Sequence, residues 1–310
     1  MSNTTAIQRP KFSTAIQTEG YKKLVNNTLQ DPKRAQRFIA SISSAVAANP
    51  ALQECDAGSI LSCALVGEAL ELSPSPQLGQ YYLVPFNNKD RGKLATFILG
   101  YKGYIQLAIR SGQYKRLNVL AIKKGELIRY NPLSEEIEVS FIQDELERET
   151  TETIGYYAMF EYVNGYVKTL YWSKTKMIQH AERYSAAFGP AKQSGNFPGR
   201  VSYEQYLAGN YAKGSDWVYS SFWYKDFDGM AYKTMLRQII SKWGIMSVEM
   251  IQAFESDGNT INASGSPEYI NSEDIPHLQG EAMEQADIDN DDPTADTNDG
   301  QTTLTMADIE

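Results

Sequence analysis

The chain has 310 residues, 42% hydrophobic, 22% charged and 11% aromatic, enough to bury a sizeable core without metals or disulfides. Its formal charge of −9 argues on average against a nucleic-acid partner, but the acid is segregated. Ile251 to Glu310 hold 15 acidic and no basic residues, leaving 29 basic against 23 acidic residues, a net of +6, in the first 250.

Other chemistries are excluded by what is scarce. Cys55 and Cys63 fit neither a disulfide framework nor a zinc pattern, and their apolar helical setting reads as buried packing. His180 is the one histidine outside the acidic tail, so histidine-rich metal sites are ruled out and any triad would have to run through it alone. No signal peptide opens the chain and no apolar run approaches the ~20 residues that span a bilayer, so a cytoplasmic protein without membrane contact is expected.

In chain order, residues 1–14 read as a mobile N-terminus. Asp31-Pro32 opens a helix that Asn49-Pro50 stops, with Phe38, Ile42, Ala45 and Val46 at helical spacing. A second helix is expected from about Asp56 to Leu72, before Ser73-Pro-Ser-Pro76 breaks the chain. Tyr81 to Phe86 and Leu94 to Leu99 read as paired strands, Tyr101 to Arg110 as a helix, and Leu117 to Ile122 and Leu127 to Tyr130 as strands. Glu135 to Glu152, with eight acids and one Arg, reads as a solvated edge. Thr153 to Val163 and Tyr166 to Trp172 flank Asn164-Gly165, a hairpin signal. Helices from Ser173 to about Ala187 and from about Asp228 to Met246 close the body, and residues 255–310 are expected to form a disordered acidic tail. Truncation after Phe254 should then leave a folded body. Helices, a meandering antiparallel sheet, then helices make an α+β fold.

No phosphate-binding loop or dinucleotide fingerprint is present, so an ATP motor is not expected. Asp226-Phe-Asp228 could hold Mg²⁺ in a nuclease, although a helix cap explains it more simply. The basic residues say more. Lys89 to Arg129 hold ten cations against two acids. Lys102, Gln106 and Arg110 form one stripe of a helix, Lys115-Arg116 and Lys123-Lys124 bracket the next strand, and Lys233 and Arg237 share a face of the last helix. Tyr101 and Tyr232 stand beside Lys102 and Lys233, Lys225 follows Tyr224, and Lys192 lies in the Gly/Pro loop. A tyrosine can stack a base while its neighbour holds a phosphate, so the set predicts a basic groove for sequence-blind nucleic-acid binding.

Phe97-Ile-Leu-Gly-Tyr-Lys-Gly-Tyr-Ile-Gln-Leu-Ala-Ile-Arg-Ser-Gly112, the proline-containing strand before it, and Phe227 to Gly244 closely resemble the RecT family of prophage single-strand annealing recombinases. The resemblance covers roughly Ala15 to Phe254. It implies a DNA-binding, annealing and oligomerisation domain over residues 15–254, with a curved sheet and helices lining a continuous groove. It also implies an ATP-independent, cofactor-free protein without catalytic residues, which binds single-stranded DNA and the annealed duplex intermediate within rings or helical filaments. Implied partners are a phage 5′-to-3′ exonuclease and the host single-strand-binding protein. A Mg²⁺-dependent nuclease using Asp226 and Asp228, and a passive DNA coat, are the competing readings.

Overall fold

The protein is described by a computed structural model over residues 10–88, 91–262 and 264–268. After α1 (Phe12–Ala15) and α2 (Glu19–Leu29), Asp31 accepts from Lys33 N at 2.8 Å and Pro32 opens α3 (Pro32–Ala48). Phe12 is buried, so the expected mobile N-terminus does not extend to residue 14; residues 1–9 lie outside the described residues. α4 (Ala57–Ala69) starts at Asp56, whose carboxylate accepts from Ser59 N. It packs on β2 (Gly92–Leu99), which pairs antiparallel with β1 (Tyr81–Asn88). The thiols of Cys55 and Cys63 face the Leu94 and Ala95 carbonyls, and burial pushes both up to about 12, so they are packing residues.

α5 (Tyr101–Arg110) leads into β3 (Tyr114–Lys123), followed by β4 (Leu127–Asn131), β5 (Glu136–Val139), α6 (Glu145–Thr150), β6 (Thr153–Tyr162) and β7 (Val167–Ser173). β3, β6 and β7 form a three-stranded antiparallel sheet, while β4 and β5 pair separately. The acidic segment therefore contains a strand and a helix as well as solvated edge. α7 (Lys174–Tyr184), α8 (Tyr203–Leu207), α9 (Phe222–Lys225), α10 (Phe227–Trp243) and α11 (Val248–Ser256) follow, then β8 (Thr260–Ile261) and β9 (Pro267–Glu268). The α+β expectation holds, but the strands fall into four small antiparallel sheets among the described residues.

α10 joins the two halves. One side lies across β3, β6 and β7, and another meets α5, whose N-terminus is held to the chain entering β1 by Gly100 N donating to Gln80 O. Lys233 and Arg237 on α10 were expected to face DNA, but each is only 3% exposed. Both point at Asp257, itself 3% exposed: Lys233 Nζ lies 3.2 Å from Oδ1 and Arg237 Nη1 2.7 Å from Oδ2. The same carboxylate accepts from Leu99 N at 2.9 Å and from the Tyr104 hydroxyl at 2.8 Å. The sequence shows two cations on one helical face but not a carboxylate 20 residues beyond, so the groove assignment of this pair is corrected to a buried ion cluster.

Asp257 also corrects the expected boundary at 254/255. Gly258 N donates to Phe97 O, Phe97 N donates to Asn259 O, and Ile261 is buried, so the body runs on through β9. The expected tail beyond Glu268 lies outside the described residues. Removing the partner of a buried charge typically costs about 3–5 kcal/mol. Asp257→Ala, and truncation after Phe254, should each destabilise the fold by that order in chemical denaturation, with Asp257→Asn milder. An unchanged midpoint in either of the first two would contradict this account.

Candidate nucleic-acid interface

The α5 N-terminus is set by two glycines. A Cβ on Gly100 would stand 2.2 Å from Gly79 O, and one on Gly103 2.2 Å from Gln80 O, so only glycine lets this helix approach the chain entering β1. That approach carries Tyr101 and Lys102 to the surface. The Tyr82 hydroxyl and Lys102 Cδ both lie against Gly79. Tyr82 meets the half-exposed Phe222 of α9, with ring centroids 5.9 Å apart. Lys102 Nζ stands 6.0 Å from the Tyr101 ring, which packs edge-on against Tyr232 at 5.8 Å. Phe222, Tyr82, Lys102, Tyr101 and Tyr232 thus form one continuous line across α9, β1, α5 and α10. Gln106 is exposed one turn beyond Lys102, and Lys225 is exposed one turn beyond Phe222.

The line continues onto the end of β3. The Tyr232 hydroxyl meets the Ala121 backbone, and burial followed by the Asp228 carboxylate pushes its pKa up, so it stays a neutral phenol. Arg148 of α6 donates to Ala121 O at 2.9 Å and clamps the buried Glu126 through Nε at 2.6 Å and Nη2 at 3.2 Å. Glu126 also accepts from Lys123 N at 2.8 Å and Ile142 N at 3.3 Å. This clamp closes the β3–β4 turn and presents Lys123 and Lys124. Lys123 Nζ donates to Thr153 at 3.0 Å, while Lys124 is exposed and makes no ion pair among the described residues.

Other candidate cations are already engaged. Arg110 pairs with Glu71 at 3.1 Å and also reaches Leu70 O. Lys115 and Arg116 share Glu161, at 2.5 and 3.1 Å, which leaves that group one positive charge in surplus. Hydrogen bonding from Lys115 holds Glu161 below the ordinary carboxylate range against the effect of its partial burial, with the Arg116 charge adding to the shift. Of the ten cations from Lys89 to Arg129, Lys89 lies outside the described residues, and Arg91, Lys93, Arg110, Lys115, Arg116 and Arg129 are ion-paired. Lys102, Lys123 and Lys124 make no ion pair among the described residues. Lys192 is exposed on the Gly/Pro loop, and among the described residues no contact joins it to the line. Asp226 caps α10 by accepting from Gly229 N at 3.0 Å, and Asp228 accepts from the Tyr156 hydroxyl at 2.6 Å, so both have structural tasks. Tyr82 and Phe222 were missed by the sequence reading. Strand alternation, with Tyr81 buried and Tyr82 half-exposed, is the signal that could have found the first.

Comparison with known proteins decides the family. The RecT family profile matches residues 36–271. The chain belongs to the RecT family. It is 39% identical to uncharacterized protein YqaK of Bacillus subtilis (strain 168) over 248 residues, which cover 78% of this chain and 72% of YqaK. It is 32% identical to protein RecT of Escherichia coli (strain K12) over 124 residues, which cover 39% of this chain and 46% of that protein. RecT membership supports DNA recombination by single-strand annealing in general, and implies single-strand binding and oligomerisation. RecT proteins are annealing proteins rather than catalytic enzymes. Among the described residues no helix is long and apolar enough to cross a membrane.

The Glu126 clamp predicts a pH dependence. Burial acts to raise its pKa, but the Arg148 hydrogen bond and the two backbone N–H groups override it and hold the carboxyl below its ordinary value. A depressed folded-state pKa gives stability that is fully present above the ordinary value of about 4.3 and is lost as pH falls through the folded value. Hydrogen exchange in α6 should therefore accelerate as pH falls below the ordinary carboxylate value, relative to the intrinsic rate. Glu126→Gln should remove that pH dependence, and an unchanged profile would contradict the clamp.

Proposed function

We propose that this protein pairs complementary single DNA strands without nucleotide hydrolysis, as an oligomer that holds strands by their backbones. What carries the reading is the run of part-exposed aromatics Phe222, Tyr82, Tyr101 and Tyr232 with Lys102 among them and Lys123 and Lys124 beyond, three lysines that make no ion pair among the described residues. Aromatic faces accept any base and ammonium groups accept any phosphate, so such a line favours single strands without favouring a sequence. Gln106 and Lys225 flank the line. Arg110, Lys115, Arg116 and Lys192 form a secondary set, whose first three members must exchange a carboxylate for a phosphate.

The mechanism follows from charge and access. Lysines that neutralise two backbones lower the repulsion opposing their approach, and counterion release adds to the affinity. Contacts confined to sugar and phosphate leave Watson–Crick edges free to test complementarity. Adjoining subunits lengthen the track, so avidity rises with strand length. A prophage recombination pathway fits the family likeness, with a 5′-to-3′ exonuclease supplying the strand and the host single-strand-binding protein occupying it beforehand.

Lys102→Ala with Lys124→Ala should weaken single-strand binding and flatten the log–log salt dependence by about 0.7 per lost phosphate contact. Unchanged affinity and slope, in a folded double variant, would remove both lysines from the interface. Sequential addition of complementary strands without ATP should give a complex more stable than that with preformed duplex, because a closed duplex must be bent and unstacked at a cost of about several kcal/mol. Equal binding of preformed duplex, a requirement for ATP, or slower pairing of coated strands, as expected of a passive coat, would overturn the reading.

A further inference from the structure

Charge divides the chain at Glu268. The first 268 residues hold 29 basic and 26 acidic residues, whereas the 42 from Tyr269 to Glu310 hold 12 acidic residues and no lysine or arginine. Ten of those acids fall between Glu273 and Asp299. A block of like charge repels itself and is drawn to a surface of opposite sign. On the body, Arg91, Lys93, Arg110, Lys115, Arg116 and Arg129 already hold carboxylates. Lys102, Lys123 and Lys124, on the aromatic line described above, make no ion pair among the described residues.

The root of the acidic stretch is fixed. Glu268 pairs with Thr260 across β8 and β9, Asn259 bridges to Phe97 of β2, and the Glu268 carboxylate meets Arg91 Nη1 at 2.5 Å. Arg91 adjoins Gly92, which pairs with Asn88 at the turn end of the β1–β2 hairpin. Tyr82 lies six residues along β1 from Asn88, about 20 Å at ~3.3 Å per residue. The hairpin that anchors the stretch therefore also carries Tyr82, beside Lys102. Asp274, six residues beyond Glu268, has the same reach of about 20 Å. All 42 residues reach up to about 140 Å, against a radius of gyration of about 18 Å for a body of this size, so Lys123 and Lys124 also lie within range.

We propose that the acidic stretch 273–299 occupies Lys102, Lys123 and Lys124 of its own chain when no DNA is bound, as an intramolecular competitor of the strand. The contact rests on the function proposed above, which makes these lysines the phosphate ligands, and adds what holds them beforehand. Carboxylates and phosphates compete for the same ammonium groups, but the stretch has no aromatic ring to lay on Tyr82 or Tyr101. A strand that stacks as well as pairs its charges therefore displaces it. A tethered competitor at an effective concentration of about 1 mM, making a contact of about 0.1 mM, lowers apparent DNA affinity about tenfold. A longer strand engages more sites while the competing contact stays the same. The device thus discriminates against short strands.

Amide replacement tests this in the full chain. Exchanging the ten acids of residues 273–299 for Asn or Gln removes their charge and keeps the length. Anisotropy of a labelled oligothymidylate should show about tenfold tighter binding to this variant than to wild type at low salt, and equal binding at high salt. A labelled peptide of residues 269–300 should bind the amide variant saturably and be displaced by the oligonucleotide. Its binding should be lost when Lys102→Ala and Lys124→Ala are added to that background, with circular dichroism confirming the fold. Equal affinity of wild type and amide variant at low salt would overturn the competition and leave the strand-binding line in place. Tighter binding without saturable peptide binding, or peptide binding that survives loss of both lysines, would show repulsion at a distance or another seat, and overturn the contact. If neither protein binds the oligonucleotide, the function proposed above falls, and the peptide titration still decides the contact.

Discussion

Two buried cations and one buried carboxylate hold this molecule in its shape. Lys233 and Arg237 cannot leave water singly, because an uncompensated ion in a low-dielectric interior is costly. Asp257 offsets part of that cost while accepting from Leu99 N and Tyr104, so one carboxylate ties α10 to β2, α5 and the segment after α11. Replacing such a cluster with apolar residues could yield an equally stable core, and the value of the ionic version is that only one arrangement satisfies all its members. The helix that carries the cations also lies on the β3–β6–β7 sheet, so the cluster fixes how the two halves meet.

The candidate interface depends on that joint. Tyr101 and Lys102 come from the β1–β2 half, Tyr232 from α10, and Lys123 and Lys124 from the end of β3. The line exists only while α5 and α10 keep their mutual packing. Gly100 and Gly103 set the same packing from the other side, by letting α5 sit against the 79–80 backbone. Gly100 and Gly103 of the recognisable stretch from Phe97 to Gly112 therefore have a steric task.

Charge placement also separates functions along the chain. Most cations between Arg91 and Arg129 are held by carboxylates from distant positions such as Glu54, Glu71, Glu161 and Glu268. Local net charge therefore overstates the positive field at the surface. The lysines left unpaired matter more for function than the total, because an ammonium already bound to a carboxylate must give up that partner before it takes a phosphate. The acidic segment, on its face a solvated edge, contributes Glu126 to a buried clamp and Glu135 to Lys168, and presents its remaining acids on α6.

Local signals determined much of the fold. Asp31-Pro32 and Asn49-Pro50 bound α3 to within a residue, Tyr101 to Arg110 is α5, and Asn164-Gly165 turns β6 into β7, because caps, prolines and positive-φ glycines act through the backbone within a few residues. The family was legible in the sequence for the same reason, since its motifs are contiguous. Lys102 and Gln106, placed on one polar stripe by helix periodicity, and Lys124, placed at the end of a strand, are exposed. Tertiary structure alone decided the fate of Lys233 and Arg237, the pairing of Lys115 and Arg116 with Glu161, and the place of Asp257 inside the body. Each depends on a partner many positions away. Burial and ion pairing are set by what packs opposite a residue, and periodicity along one helix shows a face without showing what covers it.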